Sequence, residues 1–131
     1  MHFLGIFLAA LAMFAIGSVW YSPLLFIKAW LREAGMDPNQ KPDSRTLLRT
    51  FGATFVLLFI CAAVLDLVIV NWTSEEGVGH GLWVGFLGGV LAAAVTAINY
   101  LFEKKSRTLF LINAGYDVLG FCVMGVILSL I

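Results

Sequence analysis

The sequence predicts an all-α integral membrane protein, a four-transmembrane-helix bundle with one short interfacial amphipathic helix. Two observations support this fold class. First, 61% of the 131 residues are hydrophobic and only 12% are charged, whereas soluble domains average about 45–50% apolar and about 25% charged residues. Second, the apolar residues form long runs with almost no charge, each about as long as the roughly 20 residues that a spanning helix needs. The excess apolar surface therefore faces lipid.

The predicted spans belong to a single transmembrane domain, 1–131. They cover residues 3–21, 50–70, 81–102 and 108–131. The first and third runs are uncharged, and the second and fourth each contain one carboxylate, Asp66 and Asp117. Backbone polar groups must be paired inside a bilayer, and the runs lack the alternation of barrel strands, so helices are predicted. The first run has no basic start, so we expect a retained helix and not a signal peptide.

A short amphipathic helix is predicted after the first span, at residues 24–34. Its apolar residues recur on one face at helical spacing, and its charged residues, Lys28, Arg32 and Glu33, fall on the other. Such a helix lies in the plane of the membrane interface. We expect Pro23 to end the first span, and Asp43 or Ser44 to cap the second.

The basic residues predict the orientation in the membrane. Of the eight Lys and Arg residues, five lie between spans one and two and three between spans three and four. The loop between spans two and three has none and contains Glu75 and Glu76. The positive-inside rule therefore places the two basic loops in the cytoplasm and both termini outside. The net charge of zero gives no support for a nucleic-acid partner.

Polar residues inside the spans form the candidate site. Asp117 is expected near the middle of the bilayer, where an ionisable group is costly and is a functional-site hypothesis. The candidate residues for a polar intramembrane site are Asp117, Asn113, Tyr116, Asn99, Thr96 and Asp66. Two interpretations remain open for Asp117. It lines a polar pocket or path, or it hydrogen-bonds to Asn99, Asn113 or Tyr116 and only holds helices together. Asp66 is expected near the outer end of its span, where packing or simple solvation explains it.

A ridge of small residues is predicted along the third span. It consists of Gly81, Gly85, Gly89 and Ala93, at intervals of four. Such a ridge lets another helix backbone approach closely. The partner is either the first span, which also contains small residues, or a second copy of the protein, and a contact within one chain is the simpler choice.

Metal and enzyme chemistry have little support in the sequence. Cys61 and Cys122 lie in apolar runs without metal-ligand spacing. His2 and His80 are expected on the outer side, and a metal or haem site there is the third alternative. No nucleophile–base pair or nucleotide-binding motif is present. We therefore expect no enzyme, no metal and no cofactor.

Two segments resemble a known family. One is Trp20-Tyr21-Ser22-Pro23-Leu24-Leu25-Phe26 followed by Lys28-Ala29-Trp30, and the other is Leu109-Phe110-Leu111-Ile112-Asn113-Ala114-Gly115-Tyr116 with Met124-Gly125-Val126-Ile127-Leu128. They resemble motifs of domain-of-unknown-function family 1761, an uncharacterised group of small membrane proteins. The resemblance covers the whole chain. It implies a bacterial-type four-helix protein of the cytoplasmic (inner) membrane, and it implies no activity.

These observations lead to a functional hypothesis and an alternative. Because four helices enclose little space, we expect a homo-oligomer that handles a small solute or ion through a polar site at Asp117. The alternative is a structural or accessory subunit whose polar residues only lock helix packing. In both cases the lipid bilayer is the surrounding partner, and the ligand is unknown.

Overall fold

The computed structural model describes residues 3–36, 43–72 and 77–131, which form five helices. These are α1 (Phe3–Trp20), α2 (Ile27–Ala34), α3 (Ser44–Trp72), α4 (Val78–Glu103) and α5 (Arg107–Leu130). Four of them, all except α2, are long and apolar enough to cross a membrane. The predicted fold class is confirmed: the protein is all-α, with four candidate spans and one short helix.

The helix ends follow from local chemistry. The Asp43 carboxylate accepts a hydrogen bond of 2.8 Å from the Thr46 backbone N–H at the start of α3. Hydrogen bonds from Thr46 also hold the pKa of Asp43 below its usual value. Ser106 caps α5 in the same way, accepting from the Leu109 N–H at 3.1 Å. Gly35 ends α2 in the left-handed conformation, with a φ of 72°, which glycine adopts without steric cost.

Two boundaries differ from the prediction. The helix α2 begins at Ile27, three residues later than expected, because turns occupy the segment after Tyr21. In these turns the Ser22 hydroxyl accepts from the Leu24 N–H at 3.2 Å, and the Phe26 N–H donates to the Trp20 carbonyl at 3.1 Å. The helix α4 begins at Val78, three residues before the predicted span. The start of α3 at Ser44 agrees with the expected cap at Asp43 or Ser44.

The helix α5 is the centre of the bundle and contacts each of the other four. Its most extensive contact is with α4, and α1 packs against both α5 and α3. The buried core consists of Ile6, Ala9, Ala10, Met13, Leu58, Ala62, Leu65, Val84, Met124 and Leu128. Aromatic rings add to the contact between α1 and α3, where Phe14 meets Phe55 edge-on at 6.0 Å between centroids.

The small-residue ridge of α4 packs against α5. A Cβ atom added at Gly85 would overlap the Phe121 carbonyl oxygen, and one added at Gly89 would lie 2.7 Å from Val118 Cα. Gly81 meets α5 in the same way, whereas Ala93 is half-buried. The contact is within one chain, but its partner is α5 and not the first span, which the sequence analysis named. Periodicity identified the face of α4 without identifying the helix opposite it.

Candidate functional site

A cavity of about 620 Å³ lies among α1, α2, α3 and α5. Ligand sites in proteins commonly measure about 300–1,000 Å³ and combine apolar walls with a few polar groups. The wall follows this pattern, and its described residues are Phe14, Gly17, Ser18, Tyr21, Ile27, Trp30, Thr50, Phe51, Thr54, Asn113 and Tyr116. Five of these carry aromatic rings, and none is Lys, Arg, Asp or Glu.

Tyr21 is at the centre of the cavity wall. It follows the last turn of α1, where its backbone N–H donates to the Gly17 carbonyl at 3.0 Å. The turns after it bring α2 back against α5. As a result the Tyr21 ring meets Trp30 on α2 edge-on, with centroids 6.1 Å apart. It meets Tyr116 on α5 in the same manner at 5.5 Å.

A chain of hydrogen bonds connects the cavity wall to α4. The Tyr21 hydroxyl donates to Asn113 Oδ1 at 2.6 Å. Asn113 Nδ2 in turn donates to the Tyr100 hydroxyl at 2.6 Å. The Tyr116 hydroxyl donates to the Met13 carbonyl at 3.0 Å.

Two glycines make room for the large rings near the cavity. A Cβ atom at Gly17 would lie 2.9 Å from the Tyr116 hydroxyl oxygen. A Cβ atom at Gly115 would lie 3.0 Å from Cζ2 of the Trp20 indole. The Trp20 Nε1–H donates to the Ile112 carbonyl at 2.8 Å. Larger residues at these two glycines would therefore push α1 away from α5.

The two segments that carry the family resemblance thus meet in space, through Trp20 with Ile112 and Tyr21 with Asn113. Residues 4–129 match the family model described as "Protein of unknown function (DUF1761)". The chain belongs to the DUF1761 family. This confirms the resemblance over nearly the whole chain. Neither the comparison with curated proteins nor that with solved structures found a match.

Asp117 of this DUF1761 chain lies beside the cavity and outside its wall. It follows Asn113 by one turn of α5 and is half-buried. The predicted hydrogen bonds to Asp117 are not formed: Asn113 bonds to Tyr21 and Tyr100, and no residue in the described ranges donates to the Asp117 carboxylate. The role of linking helices belongs to Asn113.

The structure does not bring the other candidate residues to the cavity. Asn99 is exposed and Thr96 is half-buried, and neither belongs to the wall. Tyr100, which the sequence analysis missed, is the α4 residue that bonds to Asn113. The sequence indicated Tyr100 only through its position near the end of α4. A short loop joins α4 to α5, so this position lies opposite the first turns of α5. Thr50 and Thr54 were also missed, because they precede the most apolar part of α3.

Asp66 is more buried than expected. Only 1% of its surface is exposed, so of the two explanations left open by the sequence, packing agrees with the structure and simple solvation does not. The reason is lateral packing: Ala62, one turn before it on the same face, and the adjacent Leu65 belong to the core formed with α1, α4 and α5. Asp66 has polar or electrostatic partners, and it is not part of the cavity wall.

The outer-face metal alternative depends partly on residues outside the described ranges, which include His2, Glu75 and Glu76. His80 is half-buried near the start of α4 and is not without a partner. Among the residues in the described ranges, no group of three or more His, Cys, Asp or Glu side chains is placed to hold a metal ion.

Proposed function

We propose that this multi-pass membrane protein binds a small molecule in the cavity among α1, α2, α3 and α5 and handles it as a channel-like or transporter-like protein. The observation that carries the proposal is a cavity of about 620 Å³ whose wall combines aromatic rings with the Tyr21, Asn113 and Tyr116 polar groups. A core that only held helices together would be close-packed, with few voids larger than a water molecule.

The depth of the cavity supports a role inside the membrane. Thr54 lies four residues after Thr50, where the apolar span of α3 begins, which is about 6 Å along the helix axis. Ser18 and Tyr21 lie at the end of α1, and Asn113 lies in the second turn of α5. The cavity is therefore in the half of the bundle that carries the loops rich in Lys and Arg. A solute entering there would come from the basic side, which we propose to be cytoplasmic.

The wall suggests how a ligand would be held. The aromatic rings of Phe14, Trp30 and Phe51 offer apolar surface for the body of a molecule. Tyr21 and Asn113 already share a hydrogen bond, but each keeps unused capacity. A phenol oxygen can still accept, and an amide has two donors and further lone pairs. These groups would orient one polar end of the ligand.

The alternative function is that of a structural or accessory subunit. One observation favours it: Tyr21, Asn113 and Tyr100 form a chain of bonds that is satisfied within the protein. Such a chain links the end of α1 to α5 and α4 without any ligand. In this case the cavity would be closed to water and its polar residues would serve packing alone.

Several further properties belong to the proposal. We propose that the protein lies in a bacterial-type cytoplasmic membrane, with both termini outside. A non-enzymatic role is also part of the proposal. A homo-oligomer remains part of the proposal, because four helices enclose little space by themselves. The mass of the purified protein in detergent tests the oligomer.

Thiol labelling in native membranes tests whether the cavity reaches water. In a background with Cys61→Ala and Cys122→Ala, a Thr54→Cys variant places a thiol in the cavity wall. An Ala53→Cys variant is the matched control, because its exposed side chain is at almost the same depth but outside the wall. A Met36→Cys variant, exposed after α2, reports that the reagent works.

We expect a membrane-impermeant maleimide added from the basic side to label Thr54→Cys much faster than Ala53→Cys. This difference supports a water-connected site for a solute. If the two variants label at the same rate, or if neither labels while Met36→Cys does, the cavity is not open to water. The structural-subunit function is then preferred.

A further inference from the structure

The cavity has a carboxylate beside it and no described cationic residue in its wall. None of the described wall residues is Lys or Arg. Asp117 directly follows Tyr116 and lies one turn after Asn113 on α5, and both Tyr116 and Asn113 belong to the wall. Inside a membrane, such a charge is weakly screened and acts over a longer distance than it does in water.

The basic residues near the cavity face away from it. Ile27 and Trp30 are the α2 residues of the wall, and they lie on one face at a spacing of three. Lys28 and Arg32, four residues apart, share another face of the same helix, and both are exposed. Arg49, exposed at the start of α3, lies about 100° around the helix from Thr50 and farther from Phe51. An anionic ligand would therefore find no cationic partner in the described wall.

The aromatic rings add to the same preference. Phe14, Tyr21, Trp30, Phe51 and Tyr116 surround the cavity. The face of each ring carries partial negative charge, which attracts a cation within about 6 Å. Recognition of organic ammonium groups by cages of aromatic rings uses this effect. Rings and a carboxylate at one site thus favour an apolar molecule with a positive charge.

We propose that the ligand of this cavity is a lipophilic organic cation, held by the aromatic rings and balanced by the carboxylate of Asp117. This inference rests on the proposed function, that the cavity binds a small molecule, and it names the chemical class of that molecule. Asp117 is a counter-charge at the edge of the site, one helical turn from Asn113.

Two probe ions of nearly identical shape and opposite charge test the inference. Tetraphenylphosphonium is the cation and tetraphenylborate the anion. Each is equilibrated by dialysis with purified full-length protein in detergent, and binding to protein-free micelles is subtracted. We expect the wild-type protein to bind the phosphonium at least about tenfold more tightly than the borate, a ratio typical of one desolvated cation–π or ionic contact.

The Asp117→Asn variant identifies the counter-charge. It keeps the shape of the side chain and removes its charge, and we expect its affinity for the phosphonium to fall about tenfold. The Glu103→Gln variant removes one negative charge at an exposed position at the end of α4, and we expect it to bind the phosphonium as the wild type does. Near-unchanged thermal melting of both variants shows that they are folded.

The outcomes separate the two proposals. Saturable and equal binding of both ions, or tighter binding of the borate, overturns the cation inference but leaves a small-molecule cavity in place. Unchanged affinity of Asp117→Asn for the phosphonium also overturns the inference, and the wild-type comparison stands even if this variant does not fold. Saturable binding of neither ion, together with an unlabelled Thr54→Cys thiol, overturns the proposed function as well.

Discussion

Alanine substitutions at two adjacent glycines of α4, Gly88 and Gly89, test how closely α4 packs against α5. A Cβ atom at Gly89 would lie 2.7 Å from Val118 Cα, whereas one at Gly88 would lie 3.5 Å from its nearest neighbour, Cδ1 of Phe121. Carbon atoms in favourable contact are about 3.5–4.0 Å apart. Gly89→Ala therefore requires the two helix backbones to separate by about 1 Å. Gly88→Ala requires no movement.

The expected magnitude follows from comparing the two variants. Both replace glycine by alanine within one helix, so the gain in helix propensity, about 0.8–1 kcal/mol, is the same for each and cancels in the difference. Forcing an extra carbon into a packed contact typically costs about 1–3 kcal/mol. Because the obstacle at Gly89 is backbone, no side-chain rotation can relieve it. We expect Gly89→Ala to be less stable than Gly88→Ala by about 1–3 kcal/mol.

Equilibrium unfolding in mixed micelles, followed by circular dichroism while the fraction of a denaturing detergent is raised, measures this difference. Gly52→Ala on α3 is a further control, because a Cβ atom there meets nothing within 4 Å, and it reports the propensity gain alone. Equal stability of the Gly88 and Gly89 variants, or a more stable Gly89→Ala, would refute the reasoning that the ridge is in close contact with α5.

Two further predictions concern the hydrogen bonds. Tyr21→Phe keeps the ring contacts but removes the 2.6 Å bond to Asn113, and we expect a loss of about 0.6–2 kcal/mol in the same unfolding assay; an unchanged midpoint would contradict a structural role for this bond. For Asp43 the pKa is lower in the folded protein than its usual value, so its stabilising effect is present above the unfolded pKa of about 3.9 and is lost as the pH falls through the folded pKa. We therefore expect wild type and Asp43→Ala to differ in melting temperature at pH 7 and to converge as the pH is lowered below about 4; an equal difference at both pH values would contradict this.

The spans and α2 could be predicted because the bilayer imposes simple rules on the sequence. Apolar runs of sufficient length must be helices, and an amphipathic pattern without such a run lies at the interface. The start of α2 could not be predicted from these rules. It depends on the turns around Ser22, whose side chain bonds to its own neighbours, and such local bonds compete with helix formation.

The lateral arrangement of the helices was less accessible to sequence reasoning. Helical spacing indicates which residues share a face, but not which helix covers that face. Small residues occur on both α1 and α5, so the partner of the α4 ridge was ambiguous. Asp66 illustrates the same limit, because its position along α3 suggested nearby water while its face is covered by the core. Asn113 could be identified as a candidate because it is a polar side chain inside an apolar span. Its partners, Tyr21 and Tyr100, could not be identified, because the sequence does not show which helices are neighbours.

The segment that begins at the end of α1 has two roles: it attaches α1 to α5, and it brings aromatic residues to the cavity. Trp20 fixes the end of α1 to α5 through the Ile112 carbonyl, and this carbonyl lies within the segment that also contains Asn113. With α1 held there, Tyr21 reaches Asn113, and the turns beyond it bring Trp30 into edge-on contact with the Tyr21 ring. A helix that simply continued past Tyr21 would carry Trp30 away from the bundle. The turn thus places Tyr21 and Trp30 of the family-like motif in the cavity wall, which they share with residues of α1, α3 and α5.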